Sequence, residues 1–308
     1  MPIAMARREF LATSAATFLP FQEQPPFVDI LDTHTHFYDP TRPQGVPWPG
    51  KQDSSLYRKV LPEDYKKIAK PLGVIGTIII EASPWVEDNQ WLLDLAKDDA
   101  FIPAIIGNLN PLDEKYPEHL RRFAKQAKFR GFRINDNNLK KALEDEKGVQ
   151  NLQLLSDLGL RLEVNGGPPL LMTVDKTAQK FPKLKIMVNH AANMPNDGKE
   201  PQKLWVDGMK LASSHENVFC KISSLTGSAR AGGFKGEYVP LDYCRAVLEV
   251  LWNSFGSKRL VVGSDWPVGE KGASLKNIFD LPRAFLETKS PEERVNVFSG
   301  NARRFYGV

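Results

Sequence analysis

The sequence predicts one (β/α)8 barrel over residues 27–308, and three observations carry that expectation. Eight short apolar segments alternate with helix-like stretches, the order expected of βαβ units and a parallel sheet. Several of these segments are near-continuous runs of apolar and β-branched residues, as in strands buried on both faces. No Gly-rich dinucleotide fingerprint argues for an open sheet, and the polar residues able to do chemistry stand at the C-terminal ends of the segments, where such barrels place reacting groups.

Taken in order, the strand candidates are 28–33, 74–81, 101–108, 129–134, 160–165, 185–190, 217–222 and 259–264. Helices are expected from Pro62-Glu63-Asp64 onward, with proline and acids in the first turn, and over 86–98, 117–128, 149–157, 170–180, 201–215, 241–255 and 275–288. The tail from Ser290 reads as one more amphipathic helix, opened by the N-cap pattern Ser-Pro-Glu-Glu. A long, proline-rich loop follows the first strand; its Tyr38, Trp48 and Tyr57 suit a substrate wall.

Residues 1–26 stand apart as a signal-like segment and linker. Arg7-Arg8-Glu9-Phe10-Leu11 precedes a short run of small and apolar residues, the layout of a twin-arginine export signal. The expectation is a periplasmic or otherwise exported protein, with a cytoplasmic one as the alternative if the segment is only a tail. No stretch approaches the roughly 20 apolar residues that span a bilayer, so no stable membrane anchoring is expected.

The formal charge is +4 and the basic residues are scattered, which leaves no nucleic-acid footprint. Cys220 and Cys244 form neither a disulfide framework nor a zinc-ligand spacing and read as isolated thiols. Assembly into a homo-oligomer is compatible with the sequence.

The chemistry gathers in three places. His34 and His36, at i and i+2 on a strand, share one face and can grip a divalent metal. His190 ends the sixth strand candidate, and Asp265 follows the eighth. Imidazole and carboxylate together suit zinc or a similar ion. Asp265 lies more than two hundred positions from the histidine pair and meets it only if the chain closes into a barrel. Arg133 and Lys221, near the ends of the fourth and seventh strands, suit a substrate carboxylate or carbonyl, or else a structural ion pair with Glu81 as Arg133's partner. Asn165 and Asn189 suit hydroxyls.

Together Asp32-Thr33-His34-Thr35-His36, Asn189-His190, Lys221-Ile222-Ser223, Gly263-Ser264-Asp265-Trp266-Pro267, the stretch Phe181–Ile186 and the ending Gly300–Tyr306 resemble the amidohydrolase superfamily. The match is closest to its amidohydrolase-2 branch, which holds sugar-lactone and pyrone-dicarboxylate lactonases. The resemblance implies one divalent metal, zinc by expectation, held by His34, His36 and Asp265, although some lactonases of the branch work without metal. It also implies that Asp265 is the base that activates water. Two departures matter: binuclear relatives carry a modified lysine on the fourth strand and a histidine on the fifth, and here those strands end Phe132-Arg133-Ile134-Asn135 and Leu162-Glu163-Val164-Asn165. A two-metal site is therefore not expected. Glu163 is either a substitute ligand or a partner for Arg133 or Arg161.

The expected function is hydrolysis of a small lactone, a sugar lactone above all. Asp265 and His190 act as catalytic groups, and Arg133, Lys221, Tyr57 and Trp48 contact the substrate. A metal-dependent decarboxylase of the same branch and a non-catalytic ligand-binding barrel are the alternatives.

Overall fold

A computed structural model describes residues 28–308. Arg7, Arg8 and the linker before residue 27 lie outside the described residues.

Eight parallel strands pair in sequence order: β1 (Ile30–Thr35), β2 (Val74–Ile80), β3 (Ala104–Asn108), β4 (Phe129–Asn135), β5 (Arg161–Asn165), β6 (Lys185–Val188), β7 (Val218–Ile222) and β8 (Leu260–Val262). Each falls within one of the eight expected segments or shifts by one or two residues. β3 starts late because Pro103 has no N–H to give a ladder. β6 stops at Val188 because the backbone then turns left-handed.

The helices are α1 (Pro62–Ala69), α2 (Asp88–Ala96), α3 (Tyr116–Ala124), α4 (Asp136–Glu144), α5 (Glu146–Asp157), α6 (Leu170–Lys180), α7 (Lys203–Ser213), α8 (Leu225–Ala231), α9 (Leu241–Phe255), α10 (Leu275–Leu286), α11 (Pro291–Val295) and α12 (Asn301–Tyr306). Of these, α4 and α8 carry no sequence expectation. Their Asp-Asn-Asn and Thr-Gly-Ser openings read as turns, and the helical state comes from context. The tail forms α11 behind a Ser290–Glu293 capping box, passes through a π-helical turn at Asn296–Gly300, and continues as α12.

Side chains alternate across each strand. Ile79, Leu162, Val188 and Val262 join the core between strands and helices, whereas Ile78, Ile80, Ile106, Met187 and Val261 fill the barrel interior. Ala302, Phe305 and Tyr306 of α12 pack into that interior cluster, so the C-terminal helix closes the end of the barrel away from the strand C-termini. Gly131 permits a close β4–β5 approach: a Cβ there would stand 1.9 Å from the carbonyl oxygen of Arg161, at φ +154.

The seam between β1 and β8 positions the chemistry. It is closed by a parallel bridge between Thr35 and Trp266 and by the His36 N–H and Asp265 N–H groups, which donate to the carbonyls of Trp266 and His34, both at 2.8 Å. Thr33 Oγ1 adds a bond to the Val262 carbonyl at 2.7 Å. Closure thus puts Asp265 directly beside the histidines of β1.

Candidate active site

Asp32 clamps this seam from behind. Fully buried, it accepts from the His34 N–H at 2.9 Å, from the Ser264 N–H at 2.8 Å and from the Tyr65 hydroxyl of α1. Burial raises its pKa, and these hydrogen bonds work against that rise. Sequence reasoning gave Asp32 no role; its place two positions before His34, in Asp-x-His-x-His, is the signal it carries.

Three imidazoles converge on one carboxylate oxygen. The Nε2 atoms of His36, His34 and His190 lie 3.4, 3.6 and 3.8 Å from Asp265 Oδ1. Ligand atoms of His34, His190 and Asp265 all lie within 4.8 Å of one another. The structure therefore brings together all four residues that the sequence singled out, with His190 at 3.8 Å only slightly farther from Asp265 Oδ1 than the β1 pair.

The backbone is bent to achieve this. His190, Ala191, Ala192 and Asn193 have φ of 52, 48, 58 and 46°, a left-handed turn without glycine, and Asp265 has φ 61°. Each such residue costs roughly 1–2 kcal/mol, so surrounding contacts must hold the turn. Trp205 Nε1 donates to the Ala191 carbonyl at 2.7 Å, and Asn193 Nδ2 to Asn165 Oδ1 at 2.6 Å.

Protonation suits a base and a cation site. Burial raises the Asp265 carboxyl, but the neighbouring His190, His36 and Arg133 outweigh it and leave its pKa lowered. Burial pushes His190 down to about 4 against the pull of Asp265. Burial and then the Lys221 ammonium hold His34 well below its ordinary value. At neutral pH the group is one carboxylate with neutral imidazoles at positions 34 and 190.

The donor set fits a divalent metal. His34 Nε2 is buried and has no hydrogen-bond partner among the described residues, as expected of a ligand atom. His36 Nδ1 lies 3.0 Å from the Ile80 carbonyl, which fixes the ring proton on Nδ1 and leaves Nε2 as a bare lone pair. His190 Nδ1 is held by Ser223 Oγ at 2.9 Å. One condition attaches to His34: Lys221 Nζ approaches its Nδ1 at 3.3 Å, so neutral His34 carries its proton on Nε2, and ligating a cation through that atom needs the tautomer with the proton on Nδ1 and Lys221 no longer donating there.

Lys221 itself lies beneath the histidines and is fully buried. Its Nζ reaches Thr33 O at 2.7 Å and Glu163 Oε2 at 2.6 Å as well as His34, so its three protons are committed within the barrel. Glu163 in turn accepts from the Tyr306 hydroxyl of α12 at 2.5 Å. Glu163 thus pairs with Lys221 and Tyr306, not with Arg133 or Arg161. A chain of polar contacts runs from the C-terminal helix to His34, and Lys221 offers no free proton to a substrate.

Arg133 forms the ion pair that was the alternative to substrate contact: its Nε donates to Glu81 Oε1 at 2.8 Å and a second nitrogen to the Glu81 carbonyl at 2.9 Å. Arg130 belongs to the other end of the barrel, bonded to the Gly307 carbonyl. In the loop after β1, the half-buried Trp48 ring stands 6.0 Å from the His36 ring, and buried Tyr38 packs against Trp48 at 5.4 Å. Tyr57 is half-buried in the same loop, which is tied down by Arg42–Asp88 and Arg58–Glu270 ion pairs. Cys220 and Cys244 are both buried and free, as expected.

Beside the histidines, a cavity of about 350 Å³ opens over the ends of β3, β4 and β5 and is lined by Glu81, Arg133 and several asparagines.

The sequence profile of a family described as amidohydrolase matches residues 31–308. The chain belongs to the amidohydrolase family. An L-fucono-1,5-lactonase of Burkholderia ambifaria is 30% identical over 296 residues, covering 90% of this chain and 95% of that protein. A second L-fucono-1,5-lactonase, from Burkholderia multivorans, is 25% identical, covering 90% and 96%. The crystal structure of an amidohydrolase from Burkholderia multivorans with bound zinc superimposes with a TM-score of 0.80 at 23% identity, covering 91% of this chain and 99% of that one. The resemblance read from the strand ends holds: this amidohydrolase is a hydrolase built on a (β/α)8 barrel.

Proposed function

We propose that this amidohydrolase opens the ring of a small lactone, a sugar lactone in particular, by attack of a water that Asp265 activates. The observation that carries the reading is the convergence of three Nε2 atoms on Asp265 Oδ1 at 3.4–3.8 Å. The names of the two Burkholderia lactonases support the substrate class.

Asp265 is an ionised carboxylate at the mouth of the barrel, aimed by its left-handed backbone and by the hydrogen bond from its N–H to His34. It accepts a proton from water as the oxygen attacks the lactone carbonyl. His36, with its proton on Nδ1, holds a water hydrogen through Nε2. His190 bonds the substrate oxygen, and Arg133 adds positive potential for the developing oxyanion. When the ring bond breaks, Asp265 returns the proton to the leaving alkoxide. A divalent ion, zinc by the chemistry of its ligands, would be held by His34, His190 and Asp265 with His36 beside them, and would polarise the carbonyl. Trp48 offers an aromatic face to the ring from the β1 loop.

Elemental analysis of the purified protein, with a panel of five- and six-membered aldonolactones read by acid release in a pH indicator, tests the reading. Acid release from the lactones is expected. Carbon dioxide release from hydroxybenzoates, with no lactone opened, would overturn it in favour of a decarboxylase. Silence in both assays would favour a non-catalytic barrel.

The Arg7-Arg8 segment is proposed as an export signal. Replacing both arginines by lysine should retain the protein in the cytosol on cell fractionation; wild-type protein found only in the cytosol would refute it.

A further inference from the structure

The cavity beside the catalytic group has a lining that water activation does not use. Asn108, Asn110, Asn135, Asn138 and Asn165 dominate its polar surface. Its one cation among the described residues is committed: Arg133 is paired with Glu81 at 2.8 Å. The Asp113 carboxylate, which accepts from Asn110 Nδ2 at 3.1 Å, adds negative charge that repels a carboxylate ligand. The volume, about 350 Å³, suits a small ligand.

The amides keep mixed hydrogen-bonding capacity. Asn165 Oδ1 is taken by Asn193, which leaves its Nδ2 protons. Asn108 Nδ2 donates to the Pro84 carbonyl at 2.9 Å, which leaves its Oδ1. Asn135 Oδ1 caps α4 by accepting from the Asn138 N–H at 2.9 Å, which leaves its Nδ2. Uncharged amide donors and acceptors match hydroxyl groups, each of which is donor and acceptor at once. A carboxylate would ask for an uncommitted cation. An unsubstituted ring would leave desolvated amides unpaired.

The cavity adjoins the reacting groups through shared residues. Asn165 braces the left-handed turn that carries His190. The Glu81 carbonyl lies 3.1 Å from His36 Nδ1.

We propose that this cavity is a polyol subsite: the side chains of Asn108, Asn138 and Asn165 hold the hydroxyl-bearing part of the substrate and select uncharged polyhydroxylated lactones over unsubstituted or carboxylated ones. The proposal rests on the lactonase reading for what is turned over, and on the cavity alone for what is bound.

The test compares a hydroxylated aldonolactone with δ-valerolactone on wild type, Asn138→Leu and Asn108→Leu. Wild type should favour the hydroxylated lactone in kcat/KM by at least about tenfold, and each variant should raise its KM by about tenfold with kcat held within about threefold. The constants for δ-valerolactone should not change. Equal losses on both lactones, or none on either, would overturn the subsite. If wild type opens no lactone, the lactonase reading falls and calorimetric titration with sorbitol still decides the subsite. Binding that Asn138→Leu abolishes supports it, and no binding to wild type overturns it.

Discussion

Around Asp265 every participant is buried: His34, His36, Asp265 and His190 are 0, 4, 5 and 6% exposed, and four consecutive residues from His190 hold left-handed backbone. Over β3–β5 the amides of Asn108, Asn138 and Asn165 are half-buried, and none of the three has left-handed backbone. Ionised and neutral imidazole–carboxylate chemistry needs a dry, fixed setting, because a few tenths of an ångström or a stray water changes which atom holds the proton. Hydroxyl recognition tolerates water and adaptable amides. The barrel separates the two tasks across its mouth. Chemistry lies where β1, β6 and β8 meet, and the proposed recognition site lies over the adjoining strands.

The comparison breaks most visibly at its buried side. Lys221→Met leaves Glu163 without its cation inside the barrel and should cost about 3–5 kcal/mol in denaturant unfolding. The double variant Lys221→Met/Glu163→Gln should recover most of that loss, since an intact buried pair contributes little net stability. A single variant within about 1 kcal/mol of wild type would mean that the layer beneath His34 is not held by charge.

Acid should expose the same side. His190 takes up its proton near pH 4 in the folded protein but near 6.5 in the unfolded chain. The unfolded state therefore binds the extra proton first as pH falls. The His190 contribution to stability is complete above pH 6.5 and is lost as pH falls towards 4. Asp265, whose folded pKa is lowered, adds a further loss below the ordinary carboxylate range. Chelator-treated protein should lose about 2–3 kcal/mol between pH 7 and 4.5 from His190, and His190→Asn should flatten the profile. An equally steep profile in the variant would contradict the assignment.

Strain gives the smallest effect. Ala191→Gly, at φ 48°, should be neutral or stabilising, whereas Ala246→Gly within α9 should cost about 1 kcal/mol. Equal costs would show that the left-handed turn stores nothing.

The two regions also differed in how much of them could be read from the chain. The eight strands were legible because runs such as Val74–Ile80 have one packing solution, buried on both faces. His34, His36, His190 and Asp265 were legible because each stands at the end of such a run, where a barrel gathers them. The depth of Lys221 was not: strand parity sends a side chain inward but does not say whether it reaches the mouth or pairs with Glu163 below. Nor was the left-handed turn, since Asn-His-Ala-Ala-Asn contains no glycine to announce it. The cavity was hidden for a different reason. Asparagines such as Asn135 and Asn138 look like turn and cap residues, Asn135 is in fact the N-cap of α4, and α4 itself carries no sequence expectation. Only the closed sheet shows that these amides face one space.

The division of labour is tested most directly by measuring kcat and KM for one hydroxylated aldonolactone with Asp265→Asn and Asn138→Leu side by side, with folding verified by circular dichroism. Asp265→Asn should lower kcat by at least about 100-fold and leave KM within about threefold. Asn138→Leu should raise KM by about tenfold and leave kcat within about threefold. If Asp265→Asn turns over at close to the wild-type rate, or if both variants lose kcat in the same proportion, the account is wrong.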